Sequence, residues 1–262
     1  MCDKMKKYLI FTVASLLLMP SCLTKKEKPG ELTRTSGEVK LVTLDPGHFH
    51  AALVQKNSYK QVADEVYVYA PEGDDVQEHL NKINGYNTRT DSPTKWKEVV
   101  YLGSDFLEKM LSEKKGNVMI TAGNNGKKTE YIKQTLMAGI HVLADKPMAI
   151  NSENFGLLKE CFDIARGKGI LLYDIMTERH EITTVLQREL SCIPAVYGEQ
   201  LKGTPEEPAI VKESVHHFFK VVSGTPLKRP AWFFDVNQQG EGIVDVMTHL
   251  VDLVQWEAFP EQ

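Results

Sequence analysis

Gly139-Ile-His-Val-Leu-Ala-Asp-Lys-Pro-Met-Ala-Ile150 is the stretch that decides the fold. It reads as a short buried strand, His141 to Ala144, preceded by a helix that Gly139 closes as its C-cap. The strand delivers a lysine and a proline to its carboxyl end, which is where open α/β sheets bind their ligands. Pro147 fixes its own φ and biases Lys146 toward an extended conformation, which points the lysine into a cleft. A solvated lysine at a strand exit is the competing reading.

Outward from this stretch the chain alternates β-branched runs with amphipathic ones, the βαβ pattern of a parallel sheet covered on both faces. Val39 to Leu44, Val66 to Ala70, Val99 to Leu102, Val118 to Ala122 and Ile170 to Tyr173 supply the other strands. Phe106, Leu107, Met110 and Leu111 recur at helical spacing, as do Phe155, Leu158, Cys161, Phe162 and Ala165. The fold class expected is α/β, a Rossmann-like doubly wound parallel sheet. An α+β domain with an open, mainly antiparallel sheet follows it.

Residues Met5 to Cys22 run from Lys6-Lys7 through an apolar stretch to Pro20-Ser21-Cys22, the layout of a secretory signal. The apolar stretch is short for a membrane span. A cysteine after Ser21 points to a bacterial lipoprotein signal, with Cys22 as the lipidated residue, and hence to a periplasm-facing anchor in the cell envelope. A plain signal peptide is the alternative. Residues 23–37 are polar and read as a tether. The expected organisation is thus 1–22 signal, 23–37 tether, 38–148 nucleotide-binding domain with a crossing helix and strand to about 175, and 176–262 the start of a substrate and oligomerisation domain.

Hydrophobic residues make up 42% and charged residues 25% of the 262, with a formal net charge of -4. That balance gives a polyanion no reason to bind, so nucleic acid is excluded as a partner. Cys161 and Cys192 are the cysteines beyond the signal and read as inert packing residues rather than a disulfide framework.

The first βα turn, Asp45-Pro46-Gly47-His48-Phe49-His50, sits where a dinucleotide pyrophosphate would lie. It has one glycine, and Pro46 removes an amide. A tight βα connection is the plain alternative. His48 and His50 have no third ligand at readable spacing, so a helix-cap or phosphate-contact role is favoured over a metal site. After the second strand Glu72 is the candidate for the ribose hydroxyls, or part of a solvated acidic turn. Asn124 stands in a polar loop suited to a nucleotide ring, or caps the next helix.

These pieces resemble the Gfo/Idh/MocA family of nicotinamide-dependent oxidoreductases over about Val39 to Pro260. Ala138-Gly139-Ile-His-Val-Leu-Ala-Asp-Lys-Pro147 is similar to the family's A-G-x-H-V-x-x-E-K-P element, with Asp145 in place of glutamate. Gly240-Glu-Gly-Ile-Val-Asp245-Val-Met-Thr-His249-Leu-Val-Asp252 resembles its D-x-x-x-H-x-x-D helix. The resemblance implies Lys146, Asp245 and His249 as catalytic residues. It implies Gly47, His48, Phe49, Glu72, Asn124, Asp145, Lys146 and Pro147 around NAD or NADP, and Arg179, Trp232, Asp245 and His249 around a sugar or glycoside. No metal is expected. A homo-oligomer is expected of the full-length protein, since the second domain looks incomplete. A glycoside hydrolase using transient NAD-dependent oxidation and a cofactor-free sugar-binding lipoprotein are the alternatives.

At roughly 100° per residue, Asp245, His249 and Asp252 fall on one helical face. A histidine flanked by carboxylates would serve as a general acid or base near neutral pH. A surface i to i+4 ion pair is the other account of the same spacing.

Overall fold

The computed structural model describes residues 35–215, 217, 219–222 and 224–259, so the signal, Cys22 and most of the tether lie outside the described residues. Six parallel strands form one sheet: β1 Leu41–Leu44, β2 Glu65–Ala70, β3 Lys97–Leu102, β4 Val118–Thr121, β5 His141–Ala144 and β6 Leu172–Asp174. Their order is β3-β2-β1-β4-β5-β6. The chain reverses direction across the sheet between β1 and β4, and that switch opens a crevice at the strand carboxyl ends.

The helices are α1 His50–Leu53, α2 Asp74–Thr88, α3 Phe106–Glu113, α4 Asn125–Met137 and α5 Ser152–Lys168. Alternation along the strands distributes apolar side chains to two cores. Val42, Leu44, Met119 and Val142 pack with Met110, Ile132, Leu136 and Cys161 under α3, α4 and α5. Leu41, Val66 and Ile120 pack on the other face with Ala51, Ala52, Ile83 and Tyr86 from α1 and α2. Each fully buried aliphatic side chain there contributes about 1.5–3 kcal/mol.

Caps set the boundaries. Asn124 accepts from the Gly126 amide at 3.1 Å to start α4, and Gly139 at φ +83° follows its end. Asn151 accepts from the Asn154 amide at 2.8 Å to start α5, and Gly169 at φ +66° ends it. Both glycines take the left-handed conformation that unwinds a helix without a Cβ clash.

The remainder contains α6 Ile182–Ser191, α7 Pro194–Tyr197, a hairpin of β7 Val221–Val222 and β8 Thr225–Pro226, then α8 Val236–Gln239, α9 Gly242–Asp245 and α10 Met247–Ala258. The antiparallel sheet expected after the Rossmann unit is therefore a two-stranded hairpin among the described residues. The polar helix of the D-x-x-x-H-x-x-D element is split at Val246 into α9 and α10. Cys161 is buried as expected, but Cys192 is exposed. Among the described residues no helix is long and apolar enough to cross a membrane.

Candidate active site

Lys146 leaves β5 at the carboxyl edge of the sheet and is buried there, after which a cis peptide joins it to Pro147. Its Nζ donates to Asp245 Oδ1 at 2.8 Å and to the Asp245 carbonyl at 3.1 Å. The two side chains are 9% and 10% exposed, so the pair is shielded from solvent. Burial pushes the Asp245 carboxyl up, and the Lys146 ammonium more than offsets it, leaving its pKa below the ordinary aspartate value. An ammonium has three N–H donors, so with two on Asp245 the third is left for a ligand oxygen.

Lys146, Asp245 and His249 line one cavity of about 340 Å³, together with His48, Phe49, His50, Glu178, Lys220 and Arg229. His249 Nδ1 is buried and finds no hydrogen-bond partner among the described residues. Burial first, then the Lys146 ammonium, lowers the His249 pKa, so its imidazole is neutral at neutral pH. A neutral imidazole on a residue that lines the cavity is a ready proton acceptor.

Asp145 lies behind the lysine, 2% exposed. His48 Nδ1 is 2.7 Å from one of its carboxylate oxygens and His50 Nδ1 is 2.9 Å from the other. Burial alone would raise the Asp145 pKa, but the two histidines hold it well below the ordinary value. Burial pushes the His48 imidazole down to about 4 against the pull of Asp145. Lys128, which the sequence reading missed, is fully buried; its Nζ donates to the carbonyls of Asp145 at 3.1 Å and Pro147 at 3.2 Å. Burial lowers its pKa to about 8. A lysine three residues into a helix carries no sequence signal of burial, because the carbonyls that receive it belong to the loop after β5.

Several expected residues have other work. Asn124 caps α4, and its amide donates to Gln238 Oε1 at 2.8 Å. Arg179 makes a two-pronged pair with Asp252 and does not line the cavity; its neighbours Thr177 and Glu178 do. Asp252 is thereby engaged away from the cavity, which of the three residues of the stripe only Asp245 and His249 line. Glu72 is exposed beside a separate cleft with Asp45, Gly73 and Trp232. Phe49 packs at a tilt against His48 and edge-on against His50, with ring centroids 4.5 Å from each.

Trp232 departs most from the sugar-stacking role. Its Nε1 donates to Asp75 Oδ2 at 2.7 Å. Its ring covers Gly47 so closely that a Cβ on Gly47 would meet Trp232 Cζ2 at 2.9 Å and Asp75 Oδ2 at 3.0 Å. The Gly47 and His48 amides both donate to the Ala122 carbonyl, at 2.9 and 2.8 Å. The residues at the strand ends fit the nicotinamide end of a dinucleotide: an ammonium with a free donor, a carboxylate and an orphaned imidazole nitrogen. The glycine turn fits the phosphates only with the indole displaced into the adjoining cleft of about 330 Å³, which Lys82, Lys228 and Arg229 line.

Residues 47–173 match the family described as "Oxidoreductase family, NAD-binding Rossmann fold", and residues 186–262 match the "Putative oxidoreductase C terminal domain". No curated protein matches the chain. It is similar to the crystal structure of a putative oxidoreductase from Parabacteroides merdae, with 76% identity and a TM-score of 0.84 over 88% of this chain and 53% of that one. A putative oxidoreductase from Thermotoga maritima has 16% identity and a TM-score of 0.57 over 83% of this chain and 58% of that one. GenD2 from gentamicin A biosynthesis, solved with NAD, has 16% identity and a TM-score of 0.54 over 88% of this chain and 57% of that one. The latter two likenesses show the fold alone, and the chain spans little more than half the length of each of the three. With a Rossmann domain of the NAD-binding kind followed by the matching C-terminal region, the chain belongs to the Gfo/Idh/MocA family of oxidoreductases.

Proposed function

We propose that the chain works as a nicotinamide-dependent oxidoreductase on a secondary hydroxyl of a sugar or glycoside. The observation that supports this reading is the meeting of the Lys146–Asp245 pair and the orphaned His249 Nδ1 at one cavity on the carboxyl edge of the sheet. A nicotinamide dinucleotide held there by Lys146 and the cleft beside Gly47 would supply the hydride acceptor or donor. His249 takes the proton from the substrate hydroxyl. The remaining Lys146 N–H stabilises the oxygen as negative charge develops on it, in a site where water is largely excluded. Asp245 fixes the lysine through its carboxylate and its carbonyl.

Trp232 over Gly47 favours a second reading, a sugar-binding protein that has lost the dinucleotide. Location in the cell envelope through a lipid on Cys22 belongs to the proposal on the grounds of the signal-like sequence.

Denaturing the purified protein and weighing the released small molecules separates the readings. The oxidoreductase reading expects a stoichiometric dinucleotide, or saturable binding of added NAD or NADP, and sugar-dependent change in reduced-nicotinamide absorbance. No released dinucleotide and no binding of added dinucleotide would refute it in favour of the sugar-binding reading.

A further inference from the structure

The cavity behind Lys146 contains a second constellation that hydride transfer does not use. His48 and His50 come from the β1–α1 turn and Asp145 from the end of β5, about a hundred residues later in the chain. One ligand-type atom from each lies within 4.8 Å of the others. We infer that His48, His50 and Asp145 form a binding site for a first-row divalent transition metal ion.

The spacing has the dimensions of a coordination shell. Two ligand atoms each about 2.1 Å from an ion stand about 3.0 Å apart at a right angle, and about 3.4 Å apart at the tetrahedral angle. The observed separations are 2.7 Å for His48 Nδ1 and 2.9 Å for His50 Nδ1, each to its own oxygen of one carboxylate. These are hydrogen-bond distances slightly shorter than such a shell, so an ion entering the site would replace the two hydrogen bonds and part the ligand atoms by a few tenths of an ångström. Two imidazoles and one carboxylate on one side of an ion are the donor set of sites that keep free positions for a reactant. Nitrogen donors select zinc, cobalt, iron or manganese over calcium and magnesium, which prefer all-oxygen shells.

The surroundings hold the donors in place. The Asp145 amide donates to the Thr121 carbonyl at 2.8 Å, and its carbonyl accepts from Lys128, so the carboxylate is fixed at both ends of its residue. The nearest catalytic cation, Lys146, is neutralised by Asp245 at 2.8 Å. Asp145 therefore keeps the two imidazoles as the partners of its carboxylate. The side open to the cavity faces Lys146, Asp245 and His249, so an ion there could take an oxygen of the substrate beside the catalytic groups. A pair of plain hydrogen bonds from His48 and His50 to Asp145 is the competing account of the same distances.

The inference goes beyond the nicotinamide reading and stands without it. The test uses the tag-free chain, stripped with a chelator and dialysed against Zn²⁺, Co²⁺, Mn²⁺ or Mg²⁺ in turn, with metal counted per chain and the Co²⁺ form examined for a ligand-field band. The expected result is one equivalent of Zn²⁺ or Co²⁺, a visible Co²⁺ band, and no retention of Mg²⁺. His48→Ala, at a cavity-facing position, should weaken binding by about 100-fold or more while the far-ultraviolet circular dichroism spectrum shows the fold retained. Asp145→Asn should abolish it. Equal metal retention by the parent and His48→Ala, or no stoichiometric metal in the parent, would overturn the inference and leave the hydrogen-bonded account. Because metal content is read without dinucleotide or substrate, failure of the oxidoreductase reading leaves this result unaffected.

Discussion

Replacing Gly47 by alanine tests whether the indole of Trp232 truly seats on the first βα turn. The added Cβ would meet Trp232 Cζ2 at 2.9 Å, Asp75 Oδ2 at 3.0 Å and the Gly123 Cα at 3.4 Å. Ordinary contact begins near the last of these values, so the backbone neighbour tolerates the methyl and the indole does not. The indole is held by its 2.7 Å bond to Asp75 and cannot yield without breaking it. Overpacking of this kind costs about 1–3 kcal/mol, and a hydrogen bond to a charged acceptor adds about 1.5–3 kcal/mol if lost. Gly47→Ala should therefore destabilise by about 2.5–6 kcal/mol in the parent, from those two terms. In a Trp232→Ala background the clash is gone, and the same change should cost under about 1 kcal/mol. Urea unfolding followed by far-ultraviolet circular dichroism of the parent, both single variants and the double variant gives the coupling directly. Additive costs would show that the indole does not cover the turn, and the argument that it blocks the phosphates would fall with it. With the reasoning intact, Trp232→Ala should also bind NAD or NADP more tightly than the parent, read by dinucleotide titration.

Burial raises the Glu98 carboxyl from 4.5 to about 7, against the hydrogen bond it accepts from Gln55. A folded pKa above the unfolded value means that its contribution is fully present below pH 4.5 and lost as pH rises through about 7. Glu98→Gln should flatten the stability profile and gain at most about 3 kcal/mol at pH 8, checked by urea melts across that range. Asp245→Asn strands the Lys146 ammonium and should cost about 3–5 kcal/mol, whereas Lys146→Met combined with Asp245→Leu should recover most of it in the same melts. His249→Gln should leave the melting curve unchanged, because Nδ1 has no partner to lose among the described residues. It should lower kcat by about 100-fold or more and remove the acidic limb, below the ordinary histidine value, from the pH profile of kcat/KM.

The strands, the helices between them and the strand-end position of Lys146 were legible in the sequence. Hydrophobic period is a local property, and Val142, Leu143 and Ala144 announce a buried strand without reference to anything distant. Gly139 and Asn151 likewise mark helix boundaries, through backbone geometry that a few neighbouring residues settle. The partners of the site were not legible. His48 and His50 looked unaccompanied because Asp145 reaches them only through the sheet order, in which β1 is separated from β5 by β4 alone. The one-face stripe of Asp245, His249 and Asp252 was sound as helical arithmetic. Asp252 nevertheless pairs with Arg179, and of the three only Asp245 and His249 line the cavity. Nor could spacing show that Trp232 covers Gly47, since 185 positions separate them in the chain. Secondary structure follows from short-range patterning that the sequence displays directly. Hydrogen bonds and ion pairs between distant residues are decided only when burial of two apolar cores fixes which strand ends meet, and that is what the tertiary structure settled.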